Sequence, residues 1–284
     1  MTLRQLVAEA EAKLLQSPHP DRARLDAETL LLHSFRQNRA WLIAHWEDES
    51  DPTAKCAFDD CIARRQTGEP IQYIVGSSEF FGLPFSIGPG VLIPRPETEH
   101  LVEEVIRLAG QFDKADLRIA DIGTGSGIIA VAVAHALPHV RISAIDSSVP
   151  ALAIAKENAG QHHLEDRIEF FEGDLLAPLA GQSFNIIASN PPYIPTTDLD
   201  SLSIEVREHE PHSALFAGDV GLDIYRRLIP DAGELLVSGG WLVLEIGYGQ
   251  QPAIEELLLT NLYSDIHFIP DYQGIPRVAS ARRD

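Results

Sequence analysis

The chain has 284 residues, 45% hydrophobic and 23% charged, which is the range of soluble globular proteins and enough for one large domain or two smaller ones. Its 22 Lys and Arg stand against 42 Asp and Glu, a formal net charge of -20. Such a surface repels phosphate backbones and anionic membranes, so neither direct DNA binding nor a membrane partner is expected. Cys56 and Cys61 match neither a redox pair nor a metal-ligand spacing and read as buried packing residues. The eleven histidines form no His-Glu-x-x-His pattern, so no metal is implied.

In chain order, Met1 to Gln16 interleaves Arg4, Glu9, Glu11 and Lys13 with apolar residues and lacks the uncharged core of a signal peptide. From Leu3 to about Arg65, apolar residues recur at helical spacing, as in Leu3, Leu6, Val7, Ala10 and Leu14. Near Gly68 the texture changes. Ile71 to Val75 is β-branched and aromatic, and Glu79 to Pro94 sets Gly82, Pro84, Gly88, Pro89 and Gly90 among short apolar pieces, which predicts strands and a β-hairpin linker. The expected organisation is a helical domain over 1–75, a hairpin linker over 76–94 and a second domain over 95–284. Pro96, Glu97 and Glu99 place a proline and acids at the first turn of a helix running to about Leu108.

Strands at Arg118 to Ile122, Val140 to Ile145, Arg167 to Phe171 and Phe184 to Ser189 then alternate with helices starting at Ser126 and Val149. This βαβ series predicts an α/β fold with a parallel sheet. A helix over about Leu222 to Val237, a strand at Trp241 to Ile246 and a helix over about Gln251 to Leu259 follow. Strands at Asp265 to Ile269 and Pro276 to Ser280 end the chain as an antiparallel hairpin. The longest apolar run, Ile128 to Leu137, is interrupted by His135 and too short to span a bilayer, so a cytoplasmic enzyme is expected.

The turn Asp121-Ile-Gly-Thr-Gly-Ser-Gly127 joins the first of these strands to its helix. Gly123, Gly125 and Gly127, with Thr124 and Ser126 between them, let a ligand approach the backbone closely. Ile128 stands where the dinucleotide fingerprint needs a glycine, which disfavours NAD, and no Gly-Lys-Ser/Thr follows to cradle a nucleotide phosphate. Asp146, nineteen residues beyond Gly127 at the end of the second strand, is positioned to accept the hydroxyls of a ribose, and Asp174 follows the third strand. Acids and glycines at the C-terminal edges of parallel strands line one crevice, suited to a nucleoside that carries positive charge. The constellation resembles the class I S-adenosylmethionine-dependent methyltransferases, which have a Rossmann-like sheet. The resemblance implies that Asp121 faces the methionine ammonium and Asp146 the ribose. It also implies that Leu175, where members often carry an aromatic residue, meets the adenine by apolar packing.

Asn190-Pro-Pro-Tyr193 follows the fourth strand on the same edge of the sheet. Pro191 and Pro192 stiffen the backbone and remove two donors, so the Asn190 side-chain oxygen and the Pro191 carbonyl can hold an amine or amide nitrogen beside the wall supplied by Tyr193. An amide nitrogen is a poor nucleophile, and two acceptors on its N–H groups would favour pyramidalisation and carry the charge that develops as a methyl arrives.

Gly68-Glu-Pro-Ile-Gln-Tyr73, Pro89 to Glu99, Asp121 to Gly127, Ser189 to Ile194 and Glu210-Pro-His-Ser-Ala-Leu-Phe216 together resemble the glutamine methyltransferases of peptide chain release factors, the PrmC/HemK family. The resemblance covers nearly the whole chain. It implies methyl transfer from S-adenosylmethionine to N5 of the glutamine in the Gly-Gly-Gln motif of class-one release factors, with the helical domain docking the protein substrate. Arg95 and Glu97 lie in a family-like stretch that helix initiation also explains. The alternatives are an adenine-N6 methyltransferase acting on a flipped base, against which the acidic charge weighs, and a non-catalytic S-adenosylmethionine-binding protein, for which an acceptor motif has little use.

Overall fold

The computed structural model describes residues 1–113 and 117–284. These form two compact units: Met1–Ser77 together with Leu202–His209, and Ser78–Ser201 together with Glu210–Asp284.

The first unit holds α1 (Leu3–Leu14), α2 (Ala23–Phe35), α3 (Arg39–Ala44), α4 (Pro52–Gln66) and α5 (Ile71–Val75). Thr2 and Gln5 cap α1 reciprocally, and Asp51 caps α4 ahead of Pro52 at its first turn. The apolar stripe Leu3, Leu6, Val7, Ala10 and Leu14 is buried with Leu30, Leu31, Phe58 and Ile62 in one core. Each Leu, Val, Ile or Phe among them contributes about 1.5–3 kcal/mol by leaving water.

Two expectations are corrected in this unit. The segment Ile71–Val75 is a helix, although its composition favours a strand. Pro70 starts it, Gly76 ends it in a left-handed conformation, and burial of Tyr73 and Ile74 overrides the weak local preference. Cys61 is buried, but Cys56 is exposed; five positions along a helix turn the two onto different faces.

The unit also contains a buried ion pair. Arg65 on α4, 1% exposed, donates to Asp26 of α2 at 2.7 Å and to the Glu69 carbonyl at 2.9 Å, and it pairs with Glu205 on α9 (Ile204–His209). No apolar periodicity marks this returning segment in the sequence; the guanidinium ties it to the helices. Removing one partner of a buried pair strands the other charge, so Asp26→Ala is expected to lower the stability of the full chain by about 3 kcal/mol in urea denaturation. A loss under about 1 kcal/mol would mean that Glu205 and the Glu69 carbonyl satisfy Arg65 without Asp26.

The second unit takes up the chain within the first hairpin strand, β1 (Ser77–Phe80); β1 and β2 (Leu83–Ser86) precede α6 (Thr98–Ala109), β3 (Arg118–Ile122), α7 (Ile128–Ala136), β4 (Arg141–Asp146), α8 (Val149–Gln161), β5 (Ile168–Glu172) and β6 (Phe184–Ser189). After Glu210 come α10 (Asp223–Leu235), β7 (Leu236–Glu245), α11 (Gln251–Thr260), β8 (Tyr263–Pro270) and β9 (Pro276–Arg283). The sheet order is β5-β4-β3-β6-β7-β9-β8, parallel from β5 to β7, with β9 and β8 running antiparallel. This is the Rossmann-like α/β arrangement with a terminal hairpin that the alternation predicts. Two helices start two residues later than expected, α7 at Ile128 because Gly127 is its cap, and α6 at Thr98 because Pro96 and Glu97 form the preceding turn. Strand β7 begins five residues before Trp241, and the register shift between Phe184 and Ile186 on its partner absorbs Gly239 and Gly240.

Candidate active site

The parallel register fixes the site. Ile122 of β3 lies beside Ile145 of β4 on one side and Ser189 of β6 on the other, so Gly123, Asp146 and Asn190 emerge at one level of the sheet edge. A cavity of about 170 Å³ opens there, lined among others by Gly123, Gly125, Asp146, Asp174, Leu175 and Asn190. Pro191 and Pro192 also line it, as do Val91 and Ser213 from two loops that converge on the same opening. A hollow of about 530 Å³ on the helical unit, lined by residues such as Leu32, Arg36 and Cys61, gathers no comparable set of acids and glycines.

The glycine turn is held from below. Gly125 has a positive φ, which glycine adopts without strain, and its N–H donates to Asp146 Oδ2 at 2.8 Å. The other Asp146 oxygen accepts from Ser148 N–H at 2.9 Å. The carboxylate is therefore fixed by backbone donors while keeping lone pairs for a ribose. Gly127 does not line the cavity: a Cβ there would meet Ala155 of α8 at 3.1 Å, so this position lets two helices approach. Ser126 is likewise buried away from the cavity, and its carbonyl accepts from Asn158 Nδ2 at 2.8 Å.

Asp121 is 1% exposed and lies behind the cavity wall. Its Oδ2 accepts from the Thr124 hydroxyl at 2.6 Å and from Ala130 N–H at 3.2 Å, which also accounts for Thr124, while Oδ1 has no hydrogen-bond partner. Burial pushes this carboxyl up to about 7 against those two bonds, with the charge of Asp146 adding to the rise. An unpaired carboxylate oxygen behind the glycine turn suits a ligand ammonium, and the cavity's mix of apolar and acidic lining suits a cationic nucleoside. Asp174 is exposed and ion-paired with Arg227, and Leu175 presents an apolar side chain to the cavity from a left-handed backbone.

At the acceptor side, the Pro191 carbonyl and Asn190 Oδ1 take no hydrogen bond among the described residues. The Asn190 amide donates to the Thr98 hydroxyl at 3.2 Å, and that hydroxyl donates to Glu245 at 2.6 Å. Tyr193 does not line the cavity; its hydroxyl donates to the same Glu245 at 3.2 Å, and its carbonyl accepts from Gln250. Burial raises the Tyr193 phenol above its ordinary range and pushes Glu245 up to about 7. Thr98 and Glu245 escape sequence reasoning, although Thr98 sits inside the family-like stretch from Pro89 to Glu99.

Glu210, 4% exposed, joins the two wall loops by accepting from Arg95 at 2.6 Å and from Ile93 N–H at 3.3 Å. The family-like motifs around Arg95 and Glu210 thus share one ion pair. Glu97 lies close enough to Glu245 to raise its pKa.

The shift at Asp121 has a stability consequence. A carboxyl raised in the fold favours folding fully below its unfolded value, near pH ~4, and loses that contribution as pH rises through about 7. Asp121→Asn should therefore melt higher than the unsubstituted protein at pH ~8, with the difference gone near pH ~4. Thermal scans that give the two proteins parallel pH profiles would exclude Asp121 as a titrating group in this window.

Comparison with known proteins agrees with this geometry. The family model "PrmC N-terminal domain" matches residues 5–76, and "Methyltransferase small domain" matches residues 105–205. A release factor glutamine methyltransferase from Koribacter versatilis is 41% identical over 100% of this chain and 99% of its own. One from Moorella thermoacetica is 43% identical over the same shares. A solved methyltransferase from Pyrococcus furiosus shares the fold, with a TM-score of 0.52 over 72% of this chain and 90% of its own at 17% identity. With identity above 40% carried from one end to the other, the chain belongs to the family of release factor glutamine methyltransferases.

Proposed function

We propose that this enzyme transfers the methyl group of S-adenosylmethionine to N5 of the glutamine in the Gly-Gly-Gln motif of class-one peptide chain release factors, in the cytoplasm. The observation that carries the reading is that two unpaired acceptors, Asn190 Oδ1 and the Pro191 carbonyl, stand on the same cavity as Gly123, Gly125 and Asp146. The cofactor supplies an electrophilic methyl on a sulfonium. Gly123 and Gly125 would admit it against the backbone, Asp146 would hold its ribose, Asp121 its ammonium, and Leu175 and Asp174 would border its base. Thr124, Ser126 and Gly127 act from behind, by bonding Asp121, anchoring Asn158 and admitting α8.

For the acceptor, Asn190 and Pro191 would bind the two N–H groups of the glutamine amide. This localises the nitrogen lone pair and stabilises the positive charge that grows on nitrogen in the transition state. The free Asn190 N–H would meet the glutamine carbonyl. No base is needed before transfer, because the methylated amide loses its proton to water. Pro192 stiffens the turn, and Tyr193 holds it to Glu245. The adenine-directed alternative gains nothing from the Koribacter and Moorella relatives, which carry the release factor name over the whole chain, and the charge of -20 opposes it. Among the described residues no helix is long and apolar enough to cross a membrane, and no group of three or more His, Cys, Asp or Glu could hold a metal ion.

Incubation with methyl-labelled S-adenosylmethionine and purified release factor, followed by peptide mass mapping, should place the label on the Gly-Gly-Gln glutamine. Asn190→Ala should lower the rate by about 10²–10³ and leave cofactor affinity within about twofold. Label on another residue type would refute the assignment. A docking role for the helical unit predicts that kcat/KM on intact release factor exceeds that on a short Gly-Gly-Gln peptide by about 10² or more; equal values would remove that role.

A further inference from the structure

An asparagine side chain presents an oxygen and an NH₂ of nearly the same shape, so its neighbours decide which one faces a ligand. For Asn190 the deciding neighbour is Thr98. Its hydroxyl has one proton, and it lies 2.6 Å from Glu245 Oε2 and 3.2 Å from Asn190 Nδ2. An ionised carboxylate only accepts, so the Thr98 proton goes to Glu245 and a lone pair remains for Asn190, which must answer with N–H. The second Glu245 oxygen is engaged by the Tyr193 hydroxyl at 3.2 Å, and the Glu245 backbone carbonyl by Tyr225 at 2.6 Å, so the carboxylate is locked in place. Thr98 and Glu245 are 0% and 2% exposed, so no water competes for these bonds.

We propose that Glu245, acting through the Thr98 hydroxyl, is the positioning residue that turns the Asn190 amide so that its oxygen, and not its NH₂, meets the N–H of the incoming glutamine. This rests on the glutamine-methylation reading and adds to it what sets the polarity of the acceptor clamp. The polarity depends on the charge of Glu245. A protonated Glu245 donates to Thr98, frees the Thr98 proton for Asn190 Oδ1, and lets the amide turn over. Burial pushes Glu245 up to about 7; Thr98 and Tyr193 hold it down, Glu97 before α6 raises it, and Arg277 on β9, itself paired with Asp271, lowers it. From α10, Tyr225 reaches only the backbone carbonyl.

The test is single-turnover transfer to intact release factor at saturating cofactor, with the full chain carrying Thr98→Val, Thr98→Ser, Glu245→Gln or Asn190→Ala. Thr98→Val keeps the volume and removes the relay; the rate is expected to fall about tenfold or more while cofactor affinity, which also reports folding, stays within about twofold. Thr98→Ser should restore most of the rate. In the unsubstituted enzyme the rate should fall as pH drops from about 8 to about 6, and Glu245→Gln, which has no proton to gain in this range, should lose that dependence. The proposal is overturned if Thr98→Val transfers within about twofold of the unsubstituted rate while Asn190→Ala is impaired. It is equally overturned if Thr98→Ser is as slow as Thr98→Val, or if Glu245→Gln keeps the acid limb. Should Asn190→Ala itself transfer at the full rate, the glutamine clamp falls and the orientation proposal falls with it.

Discussion

Parallel pairing of β3 with both β4 and β6 is the constraint on which the site depends. Neighbouring strands lie about 4.8 Å apart, so the ends of three adjacent strands bring their following residues within about 10 Å of one another. The register Ile145–Ile122–Ser189 sets those ends level, and the first residues beyond them are Asp146, Gly123 and Asn190. A shift of one residue in either pair would turn the side chains of that strand to the opposite face. Ile119, Ile142, Ile186 and Ile187 are all buried, so the strand ends that set Gly123, Asp146 and Asn190 level belong to the sheet interior.

Behind that edge the protein buries ionisable groups that an apolar core would exclude. Asp121 sits under the glycine turn and Glu245 under the Asn190 turn, each at the end of a central strand and each met by a threonine hydroxyl. The two arrangements differ in what they leave open. Asp121 keeps one oxygen without a partner, whereas both Glu245 oxygens are occupied. One carboxyl keeps an unmet acceptor within the fold, and the other is committed to the internal order of the loop. The loop is also closed at its base, where Ile194 N–H donates to Leu215 at 2.8 Å and Ala217 N–H to Ile194 at 3.0 Å.

The parts of the fold that were legible in the sequence are those in which local pattern and burial coincide. The stripe from Leu3 to Leu14 reads as one face of a helix and is one. The alternation from Arg118 to Ser189 reads as βαβ because each strand is a short apolar run between turn residues. Ile71–Val75 misleads, because β-branched residues in a helix of five are held by the core of the helical unit and by the Gly76 cap, which a propensity cannot register. The glycine turn, Asp146 and Asn190 announce themselves by spacing. The groups that orient them do not: Thr98 and Glu245 are 147 residues apart, and Arg95 and Glu210 are 115 apart. Their partnership exists only after the sheet has formed.

The helical unit is not an N-terminal appendage, because it is completed by Leu202–His209, which the chain supplies from beyond the Asn190 turn. Glu205 in that segment shares Arg65 with Asp26, so the unit is built from two separated stretches of sequence. Modular inheritance is thereby restricted. A recombination crossover placed between the two sequence regions would combine one parent's helices with the other parent's returning segment and leave a buried guanidinium with a mismatched partner. Exchange between relatives therefore has to move both stretches together, and substitutions around Arg65 and Glu205 are expected to co-vary across the family rather than drift independently.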